Sequence, residues 1–175
     1  MNNEAKGNAL LVRELTWLSA LIALQMILGR LEVGPNFVKF GFGFIATALI
    51  GYYYGPITGA IVGVVSDIVT HVIFPDPSGF FWGFTLSALV AGLIYGLVLH
   101  EKKITYWRAL LVTVIVVVIV NTLMNTLWIS MMMNFSFWKL LAPRLIKEVL
   151  TVIFQSIVIW LVLGWVDRSK FRRIK

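Results

Sequence analysis

The chain has 175 residues, of which 59% are apolar and only 13% are charged, and its mean hydropathy is +0.90. Soluble domains contain about 45–50% apolar and about 25% charged residues, so this composition excludes an ordinary water-soluble enzyme. The absence of cysteine excludes disulfides, thiolate metal sites and thiol nucleophiles. The net charge of +7 is, in such a chain, first an indicator of membrane orientation and not of nucleic-acid binding.

Six apolar runs are long enough to be membrane helices, because about 20 helical residues cross a hydrocarbon core of about 30 Å. The predicted fold is an all-α membrane protein with six transmembrane helices, which form a single domain over residues 1–175. The second and third spans are separated by the turn signal Gly55-Pro56, and Pro143 suits the first turn of the last span. In chain order, the predicted spans are Leu11–Gly29, Phe37–Tyr54, Ile57–Phe74, Phe81–Leu99, Trp107–Met133 and Pro143–Val166.

An even number of spans places both termini on one side of the membrane. Ten of the fifteen basic residues fall on that side, namely Lys6, Arg13, Lys102, Lys103, Arg108, Arg168, Lys170, Arg172, Arg173 and Lys175. Cytoplasmic loops carry the excess of lysine and arginine, so both termini are predicted to be cytoplasmic. The expected location is the cell membrane.

Five basic residues fall on or near the outer side, namely Arg30, Lys39, Lys139, Arg144 and Lys147. Long basic side chains near helix ends often extend to lipid headgroups, and Lys139 fits this interpretation as well as a ligand-binding one. Arg144 and Lys147 differ, because they belong to a polar stripe with three- and four-residue steps. The stripe consists of Arg144, Lys147, Glu148, Thr151 and Gln155. A charge in central hydrocarbon costs about 2.5–3.5 kcal/mol, so the stripe is predicted to face the bundle interior and to bind an anion.

The fifth span carries a matching polar face. Asn121, Asn125 and Trp128 are spaced four and three residues apart, and their amides and indole could hold a planar polar ring. Hydrogen bonding between helices, worth about 0.6 kcal/mol per contact, is the structural alternative. For Asn121 the residues alone leave both interpretations open.

Asp67 and His71 lie one turn apart on the third span. An ionisable residue within a membrane helix is a functional candidate, but Asp67 could equally be bonded to a neighbouring helix. Two such residues do not make a metal site, so no metal site and no catalytic residue are predicted. The chain also has no G-x-x-x-x-G-K-[ST] motif, so energy for uphill transport would come from another protein or from an ion gradient.

Small residues recur at four-residue steps, which allows helices to approach closely. The series are Ser19 with Ala23, Gly51 with Gly55, Gly59 with Gly63, and Ala88 with Gly92 and Gly96. Most of these steps indicate packing within the protein. Ser19, Ala20 and Ala23 could instead form an outward face for a partner subunit.

The order and spacing of these motifs resemble those of the substrate-binding S-components of energy-coupling factor (ECF) vitamin transporters, and most of all the folate-specific S-components. The resemblance covers nearly the whole chain, although Trp82 stands where the family often has proline. The residues that carry it are Gly55-Pro56, Gly59, Gly63, Ser66-Asp67, Pro77-x-Gly79, Gly83-Phe84-Thr85-Leu86-Ser87-Ala88 and Gly92-Leu93-Ile94-Tyr95-Gly96.

The resemblance implies a vitamin-binding protein that has no cofactor and catalyses no reaction. Its partners would be a transmembrane coupling subunit and two ATPase subunits. The vitamin would bind near the outer face, beneath the loop between the first two helices. Ser19, Ala20 and Ala23 stand where the small-residue contact face of the family belongs.

Folate combines a flat pterin ring with a benzoyl-glutamate tail that carries two carboxylates. Aromatic or amide side chains would therefore hold the ring, and cations would neutralise the tail. The predicted substrate-binding residues are Arg30, Phe37, Lys39, Trp82, Phe84, Thr85, Asn125, Trp128, Arg144, Lys147 and Gln155. Riboflavin is an alternative on aromatic content, and a small intramembrane lipid-modifying enzyme centred on Asp67, His71 and Glu148 is the alternative from another class.

Overall fold

The computed structural model describes residues 2–33, 40–75, 79–134 and 136–169, which are helical apart from loops and one pair of two-residue strands. In chain order, its elements are α1 (Asn2–Arg30), β1 (Glu32–Val33), β2 (Phe40–Gly41), α2 (Gly43–Ile73), α3 (Trp82–Leu99), α4 (Tyr106–Val116), a π-helical segment (Val117–Met124), α5 (Asn125–Met133) and α6 (Phe137–Arg168).

Five helical stretches among the described residues are long and apolar enough to cross a membrane. They are Val12–Arg30, Gly43–Ile73, Trp82–Leu99, Tyr106–Met133 and Phe137–Arg168. The fourth stretch joins α4, the π-helical segment and α5 without interruption. The prediction of a helical membrane protein is therefore confirmed, with α2 counted as one long helix.

The long helix α2 reverses direction at Gly55. This residue has φ 81° and ψ −174°, a backbone conformation that favours glycine, and the following proline has no N–H to continue a helical ladder. A Cβ placed on Gly59 would lie 3.7 Å from Gly51 Cα, although eight residues along a straight helix are about 12 Å apart. The two arms of α2, residues 43–54 and 56–73, therefore fold back on each other at the predicted turn.

Two predicted helix starts are wrong. The second span begins at Gly43 and not at Phe37, because residues 40–41 instead pair with residues 32–33 as a short antiparallel ladder. The sixth span begins at Phe137, so Pro143 lies inside α6 and not in its first turn. A proline removes only one backbone donor, and neighbouring groups in a helical bundle can satisfy the carbonyl that it frees.

The second arm of α2 packs against α3 through small residues. A Cβ on Gly59 would lie 2.6 Å from the carbonyl oxygen of Gly92, and a Cβ on Gly63 would meet the carbonyl oxygen of Ala88. Such distances leave no room for any side chain. The predicted close packing at these four-residue steps is confirmed.

One end of the bundle is filled by large apolar side chains. Leu99 at the end of α3, Val112 in α4 and Leu163 in the second half of α6 are at most 1% exposed. Ile159 and Tyr95 extend this core toward the middle of the bundle. The remaining space for a ligand therefore lies toward the opposite end, where α1 ends and α2 and α6 begin.

Helix α1 has the smallest buried share of the five candidate spans. Its small residues Ser19, Ala20 and Ala23 are all exposed, and the Ser19 hydroxyl donates to the carbonyl oxygen of Leu15 at 2.8 Å. Leu21, only 8% exposed, faces the bundle instead. The three small residues thus lie outside the internal core of the chain.

Candidate substrate-binding cavity

A cavity of about 420 Å³ lies between the end of α1, β2, the start of α2, the π-helical segment, the start of α5 and the middle of α6. Its volume falls within the range of about 300–1,000 Å³ that is usual for small-molecule sites. The residues that line it are Gly29, Gly41, Gly43, Phe44, Asn121, Asn125, Arg144, Lys147, Glu148, Thr151 and Gln155.

Helix α6 supplies the charged wall of the cavity. All five members of the predicted polar stripe line it, and three of them, Glu148, Thr151 and Gln155, are no more than 9% exposed. The helix turns this face inward because its other sides carry large apolar residues such as Ile146 and Leu150, which are exposed. The stripe therefore faces a cavity, as the cost of placing charge in hydrocarbon predicts.

Arg144 is held in position by α5. Its Nη1 donates to the Thr126 hydroxyl oxygen at 2.9 Å, and Thr126 is fully buried. Glu148 has Asn121 as a hydrogen-bond partner and has Arg144 and Lys147 as its charged neighbours. Two cations and one carboxylate give the wall a net charge of +1, which suits an anionic ligand.

Three buried oxygens at the cavity have no hydrogen-bond partner within the described parts of the chain. They are Oδ1 of Asn125, Oε2 of Glu148 and Oε1 of Gln155. A buried polar group left unsatisfied costs about 1–3 kcal/mol. These oxygens therefore favour a ligand that brings hydrogen-bond donors, in addition to the anionic group that suits the cations.

The π-helical segment shapes the wall opposite α6. π-helices are rare, and they occur frequently at functional sites as local bulges in α-helices. This one contains Asn121 and ends directly before Asn125, and both amides line the cavity. The structure thus brings Asn121 into the site, where the sequence left its role open.

Glycines and one phenylalanine form the remaining walls. A Cβ on Gly43 would lie 3.3 Å from Gly29 Cα, so the end of α1 and the start of α2 approach closely here. A Cβ on Gly41 would have no atom of the described residues within 4 Å, so the cavity wall is open at this strand. Phe44 offers an apolar surface, and its ring contacts Phe154 edge-to-face at 6.3 Å between centroids.

Four other predicted substrate-binding residues do not line the cavity, and three of them, Phe84, Thr85 and Trp128, lie in a second cluster between α2, α3 and α5. The Thr85 hydroxyl donates to Oδ2 of Asp67 at 2.7 Å, and Nε1 of Trp128 donates to the Ser87 hydroxyl at 3.0 Å. The Phe81 ring contacts both the Phe84 ring and the Trp128 ring, at 6.0 and 5.9 Å between centroids. The fourth residue, Trp82, is 71% exposed.

Arg30 also lies outside the cavity, although the neighbouring Gly29 lines it. Its Nη2 donates to the Phe74 carbonyl oxygen at 3.1 Å, and its guanidinium carbon lies 4.4 Å from the centroid of the Phe74 ring. Arg30 thus joins the end of α1 to the end of α2. The remaining predicted residues, Phe37 and Lys39, lie outside the described residues.

The structure therefore brings together four of the predicted residues and adds others. Asn125, Arg144, Lys147 and Gln155 share the cavity, and their assignment as substrate ligands stays a prediction. The sequence signal for two added residues, Glu148 and Thr151, was their membership of the stripe. Phe44 and the three glycines carry no signal of their own, because only tertiary structure brings them to this place.

The polar centre of the alternative enzyme is not assembled. Glu148 lines the cavity, whereas Asp67 bonds to Thr85 and the His71 ring packs edge-to-face against Phe80 at 5.1 Å. Within the described ranges no group of three or more His, Cys, Asp or Glu residues could hold a metal ion.

Comparison with known proteins adds an independent finding. Residues 13–163 match the family model described as ECF transporter, substrate-specific component. The chain is 36% identical over 158 residues to the Folate transporter FolT of Clostridium novyi (strain NT), and the aligned region covers 90% of this chain and 91% of the relative. It is 32% identical over 144 residues to the protein of the same name from Leuconostoc mesenteroides, with 79% and 77% covered. The structure is similar to a crystal structure of FolT bound with folic acid, with a TM-score of 0.78 and 35% sequence identity. The match covers 86% of this chain and 90% of the other.

Proposed function

The chain belongs to the family of ECF transporter substrate-specific components, and we propose that it binds folate in the cavity and delivers it to an ATP-driven coupling module. The match to the family model confirms the family resemblance that the sequence indicated, and the chain is a transporter component and not an enzyme. The observation that carries the folate proposal is the wall of α6, where Arg144 and Lys147 lie beside buried oxygens that have no partner among the described residues.

The chemistry of this wall matches the two ends of folate. Two cations suit the two carboxylates of the glutamate tail, because charge-assisted hydrogen bonds between them are strong. Buried carboxylate and amide groups suit the donors and acceptors of the pterin ring, and Phe44 provides an apolar surface beside it. The cationic wall disfavours thiamine, which is itself a cation.

The stripe also suits an elongated ligand. Arg144 and Gln155 are eleven residues apart on α6, which corresponds to about 16 Å along the helix axis. We place the tail near Arg144 and Lys147 and the ring on the side of Glu148 that leads along α6 toward Gln155 and the filled core. This arrangement keeps the charged tail near the end of the bundle at which α1 ends.

The same proposal includes the topology. If each arm of α2 enters the membrane separately, the chain has six membrane segments and both termini lie on the cytoplasmic side, as the distribution of basic residues predicts. The cavity then opens toward the outer face of the cell membrane. The first arm has only twelve residues between 43 and 54, about 18 Å of helix, so the cavity lies partly within the thickness of the bilayer.

We propose that the exposed small residues of α1, Ser19, Ala20 and Ala23, bind the transmembrane coupling subunit. Small side chains let a partner helix approach closely in lipid, where packing drives association. Two ATPase subunits would bind to that coupling subunit and supply the energy, since the sequence has no nucleotide-binding P-loop of its own.

The proposal is tested by titrating the purified protein in detergent with folate, riboflavin and thiamine. The expected result is saturable quenching of tryptophan fluorescence by folate at micromolar or lower concentration, with no saturable response to the other two vitamins. Saturable binding of riboflavin without binding of folate would assign the chain to another vitamin.

A further inference from the structure

Glu148 differs from the other cavity residues because it is a deeply buried carboxylate that is only partly satisfied. Its side chain is 5% exposed, Asn121 is a hydrogen-bond partner, and its Oε2 has no partner among the residues described. Asn125 and Gln155 also present unpartnered oxygens, but an amide can turn over and offer its NH2 group instead. An ionised carboxylate only accepts hydrogen bonds, so Oε2 of Glu148 is free to accept one from a donor group of a ligand in the cavity.

The charges in the cavity support the same conclusion. Arg144 directs its Nη1 to Thr126 at 2.9 Å, and neither cation hydrogen-bonds Oε2 of Glu148. If Glu148 served to neutralise one of them, a single cation would remain for a ligand that carries two carboxylates. If Glu148 instead accepts hydrogen bonds from a neutral part of the ligand, Arg144 and Lys147 both remain available for the tail.

We propose that Glu148 is the specificity-determining residue that recognises the pyrimidine edge of the pterin ring, an inference that rests on the proposed function. A 2-amino-4-oxo ring presents two donors side by side, the ring N3–H and the exocyclic amino group. The two oxygens of a carboxylate match two parallel donors, as they match the two N–H groups of an arginine fork. Each oxygen has two acceptor positions, so the bond from Asn121 can persist.

The same carboxylate would select against a flavin. The corresponding edge of an isoalloxazine ring has one N–H group between two carbonyl oxygens. The carboxylate would gain at most one hydrogen bond there while a carbonyl oxygen faced it without a donor, and like partial charges in a buried site oppose binding. Glu148 would therefore act both for folate and against riboflavin, and specificity commonly needs both effects.

The test compares two proteins with two ligands, as in a double-mutant cycle. The proteins are the wild type and Glu148→Gln, and the ligands are folate and its 2-desamino analogue, which lacks the exocyclic amino group. We expect the wild type to bind the analogue about 10- to 150-fold more weakly than folate, the usual range for a hydrogen bond to a charged group. In Glu148→Gln the ratio of the analogue's dissociation constant to that of folate should fall by about tenfold, because the exocyclic amino group of folate would then face a neutral amide and not a carboxylate.

A tail fragment serves as the matched control ligand. We expect 4-aminobenzoyl-glutamate, which has no pterin ring, to bind Glu148→Gln at least as tightly as the wild type, because the substitution makes the cavity more positive. A general loss of structure would weaken the tail fragment and folate together, and that result would contradict direct recognition by Glu148.

The possible failures can be told apart. Wild-type protein that binds no folate would refute the proposed function and this inference with it. Wild-type protein that binds folate and the 2-desamino analogue equally would refute the inference alone, and this comparison needs no variant. An unchanged ratio in folded Glu148→Gln would likewise show that another residue recognises the amino group.

Discussion

Lys147 and Lys139 provide a matched test of the cationic wall, because both lie in α6 but only Lys147 lines the cavity. Lys139 is exposed, whereas Lys147 is partly buried next to Glu148. A charge-assisted hydrogen bond to a carboxylate is worth about 1.5–3 kcal/mol, and an exposed ion pair only about 0.2–1 kcal/mol. Lys147→Ala should therefore weaken folate binding by about 10- to 150-fold, and Lys139→Ala by about fivefold at most.

Isothermal titration calorimetry of both variants in the same detergent measures their folate dissociation constants, and thermal unfolding shows whether each variant is folded. Lys147→Arg is a second control, because it keeps the positive charge and should retain most of the affinity. Two results would refute the reasoning. Either Lys147→Ala binds folate as the wild type does, or Lys139→Ala loses as much affinity as Lys147→Ala, in which case the charge acts at long range and not through contact.

Three further predictions concern other parts of the molecule. Gly92→Ala should lower the unfolding temperature, because its Cβ would meet the Gly59 carbonyl oxygen and overpacking costs about 1–3 kcal/mol. Gly164→Ala is the control and should not lower it, because no atom of the described residues lies within 4 Å of the added Cβ. Equal unfolding temperatures for both variants would contradict the tight α2–α3 contact. Thr85→Val should lower stability by about 1–3 kcal/mol, because it removes the donor to Asp67, and should leave folate affinity unchanged; a marked loss of affinity in the folded variant would return Thr85 to the substrate site. Replacing Ala20 or Ala23 by tryptophan should preserve folate binding by the purified protein but reduce folate uptake by cells that contain the coupling module; normal uptake would exclude this face as the docking surface.

The sequence predicts the membrane helices well because length and apolarity directly decide what can cross a bilayer. The start of α2 was misplaced because the sequence from Phe37 to Phe42 is nearly as apolar as a membrane-spanning helix. Nothing in the local sequence reveals that residues 40–41 pair with residues 32–33. The turn at Gly55 was predictable because glycine and proline act through their own backbone chemistry.

The charged part of the cavity was predictable for a similar reason. Charged residues avoid hydrocarbon, so a stripe on one face of α6 had to turn inward. The hydrogen-bond partners of individual side chains depend on tertiary contacts, which the spacing of residues along one sequence does not reveal. Trp128 has the spacing of a cavity residue, but its indole donates to Ser87 of α3. Glu148 has two basic neighbours in the sequence that could neutralise it, yet one of its oxygens has no partner in the described structure.

The location of bound folate tests the central claim most directly. A structure of this protein with folate, determined by crystallography or electron microscopy, should place the ligand in the cavity beside α6, with its carboxylates within hydrogen-bonding distance of Arg144 and Lys147. Folate bound instead in the cluster of Phe84, Thr85 and Trp128, with the cavity beside α6 free of ligand, would contradict the claim.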